Sequence, residues 1–88
     1  MKTRILVVNF VHGLHARVAA QVVKLTRRHN AAVHVRSQGR PRANARSILQ
    51  LLTLGAVAGT HLEVTADGPD ENAVVQELAE LFEQGGGI

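Results

Sequence analysis

Residues 2–28 read KTRILVVNFVHGLHARVAAQVVKLTRR, and this stretch changes from the pattern of a strand to the pattern of a helix. Lys2–Val8 is rich in aliphatic and β-branched side chains, which is typical of a strand. A loop containing Gly13 follows, and from about Ala16 the pattern is helical. Small or apolar side chains then recur at helical spacing, namely at Ala19, Val22, Val23 and Thr26. The sequence therefore predicts a strand, a short loop and a helix in direct succession.

The rest of the chain continues this alternation of short strands and helices. The further predicted elements are a strand at Ala32–Arg36, a strand at Arg40–Ala43, a helix at Ser47–Leu54 and a strand at Thr60–Ala66. Pro41 cannot donate to a central ladder, so its strand is expected at a sheet edge. Asp70 is expected to cap a last helix, whose apolar stripe is Val74, Leu78, Leu81 and Phe82.

The element order β-α-β-β-α-β-α predicts an α+β fold. We expect a two-layer open-faced sandwich, with a four-stranded antiparallel sheet and three helices on one face, in a single domain over residues 1–88. The chain contains no cysteine, which excludes a disulfide scaffold, a thiol nucleophile and a cysteine-based zinc site. The apolar run Ile5–Val8 is too short for a membrane span or a signal peptide. We therefore expect a cytoplasmic protein without direct membrane insertion.

The net charge of +3 and the pI of about 10.7 favour anionic partners. A small basic nucleic-acid binder is one interpretation of that charge. Proteins that bind single strands stack bases on aromatic rings, and this chain has only Phe10 and Phe82. The composition therefore favours a protein partner over a nucleic acid.

The candidate reactive segment is Gly13-Leu14-His15-Ala16-Arg17, because it places an imidazole where the loop becomes a helix. The first N–H groups of a helix have no partner within the helix, and the macrodipole makes that end positive. A phosphoryl group on His15 would meet the N–H groups of Ala16 and Arg17, and the Arg17 side chain would add a charge-assisted bond. These residue types suit reversible phosphoryl transfer, although a lone histidine here is also typical of a surface or capping residue.

Two further motifs follow the histidine segment, Asn44-Ala45-Arg46-Ser47-Ile48-Leu49 and Leu54-Gly55. A turn follows them at Ala66-Asp67-Gly68. With the histidine segment and the element order, they resemble HPr. HPr is the histidine-containing phosphocarrier of the bacterial phosphoenolpyruvate-dependent sugar phosphotransferase system. The resemblance implies that Enzyme I phosphorylates His15 on a ring nitrogen and that an Enzyme II A component receives the phosphoryl group. It also implies that Arg17 steadies this group, and that the chain is a cofactor-free carrier rather than a free-standing enzyme.

Two positions depart from the family pattern. The family usually has proline directly after the arginine, where this chain has Val18, and often serine or threonine where it has His12. Val18 restores an N–H that would either be an extra phosphoryl donor or loosen the loop. A protonated His12 would either attract phosphoryl oxygens or raise the energy of a protonated His15. A metal shared by His12 and His15 is not expected, because no cysteine or carboxylate lies close in sequence. The departures favour a specialised paralogue, and leave as an alternative a regulatory module that docks a transcription factor or metabolic enzyme.

The second helix carries the remaining expectations. Ser47 is expected as its N-cap, and the resemblance implies regulatory phosphorylation of Ser47 by a dedicated HPr kinase, with Arg46 beside the phosphate. The resemblance also implies an apolar partner-binding patch, formed by Ile48, Leu51 and Leu52. A basic rim is expected from Arg17, Arg28 and Arg46.

Overall fold

A computed structural model describes residues 1–84, and the last four residues of the predicted domain lie outside this range. The elements in chain order are β1 (Lys2–Val7), α1 (Ala16–Arg27), β2 (Ala32–Ser37), β3 (Ala43–Asn44), α2 (Ile48–Leu52), β4 (His61–Asp67) and α3 (Glu71–Glu83). This is the predicted order. None of these helices is long and apolar enough to cross a membrane.

The strands form one sheet in the order β1-β4-β2-β3, and every neighbouring pair is antiparallel. In the central pair Val35 lies opposite Val64, and in the pair with β1, Leu62 lies opposite Leu6. All four side chains are buried. Strands β2 and β4 alternate between buried residues and more exposed ones, so one face of the sheet packs against the helices and the other is open. In β1 only Leu6 is buried. The predicted α+β fold is confirmed.

The third strand is shorter than predicted. The sequence placed it at Arg40–Ala43, but pairing occurs only at Ala43–Asn44, and residues 40–42 are outside the sheet. Pro41 has no N–H to donate to the ladder. Arg40 instead follows the turn that its N–H closes on the Ser37 carbonyl, and its guanidinium donates to the Thr53 carbonyl at 3.0 Å. The prediction that this strand lies at the sheet edge is correct.

The core lies between the sheet and the helices. The predicted inner positions of α1 (Ala19, Val22, Val23 and Thr26) are all buried. Thr26 is the polar member of this set, and its hydroxyl donates to the carbonyl of Val23 or of Ala45, each at 3.0 Å. The second contact joins the end of α1 to the segment before α2. In α3, Val74, Leu78 and Phe82 are buried as predicted, while Leu81 is half-buried.

Asp70 does not cap α3 as the sequence predicted. It occupies the N-cap position, but its carboxylate makes no hydrogen bond to that helix. The carboxylate instead accepts the Asn30 N–H at 2.6 Å, just after the end of α1. A tertiary contact thus replaces the expected local cap. The end of α1 is thereby tied to the start of α3.

Candidate functional site

His15 is the N-cap residue of α1, with an extended backbone (φ −93°, ψ 177°). Its carbonyl accepts the Ala19 N–H at 2.9 Å, which begins the helical hydrogen bonding. Its imidazole makes no capping hydrogen bond and is half-buried. The side chain therefore does not serve as a cap, and within residues 1–84 neither ring nitrogen has a hydrogen-bond partner.

The first turn of α1 offers two accessible donors rather than the three predicted. Ala16 and Arg17 are exposed, and no acceptor for their N–H groups is found among residues 1–84. Val18 is 0% exposed. An oxygen of water size therefore cannot reach the Val18 N–H in this conformation. The expectation that Val18 adds a donor is not met in this conformation, because the residue is fully buried.

Gly13 fixes the loop that presents His15. Its φ is +70°, and a Cβ there would collide with the Ala56 carbonyl oxygen, so only glycine fits without a shift. The Gly13 N–H donates to the Phe10 carbonyl at 2.9 Å, and the Leu14 N–H donates to the Ala56 carbonyl at 2.8 Å. The loop is thus anchored on the segment that follows α2.

His12 shares this loop with His15. The two ring centroids are 6.3 Å apart, with an interplanar angle of 67°. His12 is exposed. Within the part of the chain that the structure describes, no group of three or more potential metal ligands comes together.

The apolar surface of α2 differs from the prediction in one residue. Leu51 is 1% exposed and belongs to the core, so its assignment to a partner-binding patch is wrong. Ile48 and Leu52 are 39% and 36% exposed, and the sequence analysis missed Leu49, which is 78% exposed. The spacing carried a partial signal, because residues 48, 49 and 52 fall within an arc of about 100° of a helix, whereas residue 51 lies outside that arc and nearly opposite Leu49. We call Ile48, Leu49 and Leu52 the α2 apolar surface.

Ser47 is the N-cap of α2 as predicted, and its hydroxyl accepts the Gln50 N–H at 3.2 Å. Arg46 does not lie free beside it. Its guanidinium donates to the His29 carbonyl at 2.9 Å and to the Ala31 carbonyl at 3.4 Å, at the other end of α1. In this conformation the guanidinium is directed toward the end of α1, and the electrostatic role of Arg46 beside a phosphate on Ser47 stays a prediction.

The predicted basic rim is smaller than expected, because two of its three arginines contact other groups of the protein. Arg28 lies 3.5 Å from a carboxylate oxygen of Glu77 in α3, and Arg46 binds the carbonyls after α1. Arg17 is exposed, next to His15 in sequence, and no ion pair involving it is found within residues 1–84. Of the three predicted arginines, Arg17 alone adjoins the histidine.

Two pKa shifts lie elsewhere in the fold. Burial lowers the pKa of His34 on the open sheet face, and the positive charge of Arg42 lowers it further. The Gly68 N–H, followed by the amino terminus of Met1, lowers the pKa of the Glu71 carboxyl. Neither residue belongs to the loop that presents His15.

Known proteins resemble this chain over nearly all of its length. A family model described as "PTS HPr component phosphorylation site" matches residues 2–84. The phosphocarrier protein HPr of Vibrio cholerae is 41% identical over 73 residues, which cover 83% of this chain and 85% of that protein. A crystal structure of an HPr from Thermoanaerobacter tengcongensis superposes with a TM-score of 0.93 at 30% identity, covering 100% of this chain and 98% of the other. The solution structure of the Bacillus subtilis catabolite repression HPr gives a TM-score of 0.67 at 31% identity, covering 92% and 95%.

Proposed function

This chain belongs to the HPr family and is a phosphocarrier of the phosphotransferase system, and we propose that His15 is the residue that carries its phosphoryl group. One observation supports this assignment above the others. His15 occupies the N-cap of α1 with its imidazole unbonded within residues 1–84, directly before the accessible N–H groups of Ala16 and Arg17. A neutral ring nitrogen there has a lone pair for phosphorus, and the helix start has donors for the oxygens.

The transfer exchanges one bond to phosphorus for another. A ring nitrogen of His15 attacks the phosphoryl group on Enzyme I, the bond between phosphorus and the donor group breaks, and that electron pair returns to the donor. The N–H groups of Ala16 and Arg17, with the Arg17 guanidinium, stabilise the charge on the phosphoryl oxygens. An Enzyme II A component then attacks the same phosphorus, and the electron pair of the N–P bond returns to His15.

The α2 apolar surface is our proposed docking site for both partner classes. Helix α2 packs against α1, and Ile48, Leu49 and Leu52 leave a contiguous set of exposed aliphatic side chains on it. An apolar centre with a charged neighbour is the usual composition of a protein interface. Arg17 supplies that charge and faces acidic residues of the partner. Because both partners meet the same surface, donor and acceptor bind in turn rather than together.

Ser47 is our candidate for regulatory phosphorylation by a dedicated kinase. Its hydroxyl begins α2, directly before the α2 apolar surface, so a phosphate there would add negative charge at the edge of the docking site. Arg46 donates to the carbonyls after α1, so in this conformation it forms no direct ion pair with a phosphate on Ser47. We expect phosphorylation of Ser47 to weaken docking, and we place the carrier in the cytoplasm, where phosphoenolpyruvate is available.

Labelling with phosphoenolpyruvate and Enzyme I tests the assignment. The unmodified chain and the control His61→Ala, on the exposed start of β4, should acquire acid-labile, base-stable phosphate. His15→Ala should acquire none. Equal labelling of His15→Ala would overturn the assignment of His15.

A regulatory binding module is the second candidate function, and the similarity to the Bacillus subtilis catabolite repression HPr favours it. The two candidates differ in the second transfer. A carrier passes the labelled phosphate to an Enzyme II A component, whereas a regulatory module keeps it and binds a transcription factor or metabolic enzyme. Loss of label from the chain upon addition of the Enzyme II A component therefore favours the carrier.

A further inference from the structure

His12 lies beside His15 in the loop that precedes α1. The centroids are 6.3 Å apart and the rings meet edge to face at 67°. This distance is within the range of aromatic pairs, yet no hydrogen bond joins the two side chains. A phosphoryl group bonded to a ring nitrogen of His15 and directed toward His12 would lie within hydrogen-bond reach of the second imidazole.

The loop holds His12 at this place from both sides. Val11 and His12 occupy the centre of a turn that the Gly13 N–H closes on the Phe10 carbonyl. Phe10 is 2% exposed and packs edge to face on Phe82, with centroids 5.0 Å apart. Gly13 packs on the segment after α2. Because both ends of the turn are anchored, the exposed His12 ring is carried by a defined backbone.

Acidic side chains are scarce in the segments that surround His12. Residues 9–22 contain no acidic side chain, and neither do residues 53–60, the segment packed against the loop. Arg17 comes from α1, and Arg40 donates to a carbonyl at the end of α2. Glu83, at the end of α3, lines a cleft with residues 7 and 9. A phosphoryl group on His15 would bring a strong negative charge into these surroundings, and an imidazolium would be attracted to it.

We propose that His12 is a positioning residue whose imidazolium holds an oxygen of the phosphoryl group carried by His15. The inference rests on the proposed phosphorylation of His15. An imidazole changes its charge between about pH 5 and pH 8, so the contact strengthens as the pH falls through this range. No covalent bond to His12 forms, and the phosphoryl group stays on His15. By reciprocity, phosphorylation of His15 favours the protonated form of His12 to the same extent that protonation of His12 favours phosphorylation.

Nuclear magnetic resonance of the His12 ring provides the first test. The phosphorylated chain is prepared either with Enzyme I or chemically with phosphoramidate, and mass spectrometry verifies that the phosphate is on His15. At pH 7 the ratio of protonated to neutral His12 should rise about three- to fivefold on phosphorylation, the magnitude expected of an exposed ion pair. His34, on the open sheet face, should show no such change.

The equilibrium of phosphorylation provides the second test. With a limiting amount of phosphoenolpyruvate, the equilibrium constant for labelling the unmodified chain should exceed that of His12→Gln about three- to fivefold near pH 6. The two constants should converge near pH 8.5. His12→Lys, which keeps a positive charge, should match the unmodified chain at pH 6 and retain the advantage at pH 8.5. The control His34→Gln should follow the unmodified chain throughout.

Identical equilibrium constants for the unmodified chain and His12→Gln at both pH values would overturn the proposal, as would an unchanged protonation ratio of His12. Failure of the proposed function gives a different result. In that case Enzyme I would not label His15, while chemically phosphorylated His15 would still reveal whether His12 responds.

Discussion

The two ends of α1 differ in how their polar groups are used. At the C-terminal end, Arg46 donates to the carbonyls of His29 and Ala31, and the carboxylate of Asp70 accepts the Asn30 N–H. At the N-terminal end, the N–H groups of Ala16 and Arg17 and the imidazole of His15 have no hydrogen-bond partner within residues 1–84. A helix leaves such groups at both ends. Here one end is satisfied by the fold, and the other is open to a ligand.

The N-terminal end of α1 has unpaired polar groups, but its backbone is held in place by contacts. Its backbone is fixed from behind, because Gly13 packs on the Ala56 carbonyl and Leu14 donates to the same carbonyl. The difference teaches that the exposed unpaired groups at this end of α1 are ones that a phosphoryl group can pair. The following predictions test this comparison, first at the loop behind the open end and then at the closed end.

The largest effect is expected from Gly13→Ala. The left-handed backbone and the collision with the Ala56 carbonyl together should lower the free energy of unfolding by about 3 kcal/mol. The rate of His15 phosphorylation should also fall, because the loop must shift. Gly39→Ala is the matched control: its φ is +78°, but a Cβ there meets nothing within 4 Å. Urea unfolding of the control should show a loss of only about 1 kcal/mol, and equal losses would contradict the role given to the Ala56 contact.

Thr26→Val should have the next largest effect, at the closed end. It removes a buried hydroxyl that reaches the Val23 and Ala45 carbonyls. The expected loss of unfolding free energy is about 1.5 kcal/mol, because a buried carbonyl then lacks its donor. Thr65→Val, on the open face of β4, should stay within about 0.5 kcal/mol of the unmodified chain. A Thr26→Val chain as stable as this control would show that the contact to Ala45 contributes nothing.

Arg46→Gln should lower the free energy of unfolding by about 1 kcal/mol, because the cation binds the His29 and Ala31 carbonyls just after α1 and lies near the negative end of that helix. Labelling of His15 should be unaffected, since the change lies at the opposite end of α1. The exposed Arg42 provides the control, and Arg42→Gln measured at pH 7.5 should be nearly neutral. Slower labelling of Arg46→Gln would mean that the two ends are coupled.

The smallest effect is expected from Val18→Pro at the open end. The Val18 N–H has no acceptor within residues 1–84, so proline removes no hydrogen bond, and the first turn of a helix tolerates it. We expect the free energy of unfolding to change by less than about 1 kcal/mol and labelling of His15 to proceed as before. Ala20→Pro, two residues later and beyond the first turn, should lose about 3 kcal/mol. Abolished labelling in Val18→Pro would show that the Val18 N–H reaches the phosphoryl group after all.

The sequence was sufficient where structure follows from local spacing. The start of α1 at Ala16, the cap at Ser47 and the edge position of the third strand were all predicted from neighbouring residues. The closed end of α1 was not predicted, because its contacts join residues far apart in sequence. The Asp70 carboxylate binds the Asn30 N–H across 40 positions, and Arg46 reaches the His29 carbonyl across 17.

The same limit applied to the site. A histidine before a helix and an adjacent arginine are visible in the sequence, and their placement follows from the helix start. The burial of Leu51 and Val18 cannot be read from the sequence, because it depends on how α1 and α2 are rotated against the sheet. The spacing places Leu49 on one side of α2 with Ile48 and Leu52. Only packing decides which side of a helix of five residues faces outward.

Backbone amide spectroscopy tests the central account most directly. Phosphorylation of His15 should move the amide proton resonances of Ala16 and Arg17 downfield, because these N–H groups gain an acceptor at the open end. The amides of Val18 and of Asn30, at the closed end, should remain nearly unchanged. Unchanged Ala16 and Arg17 resonances in a chain whose His15 is demonstrably phosphorylated would contradict the account.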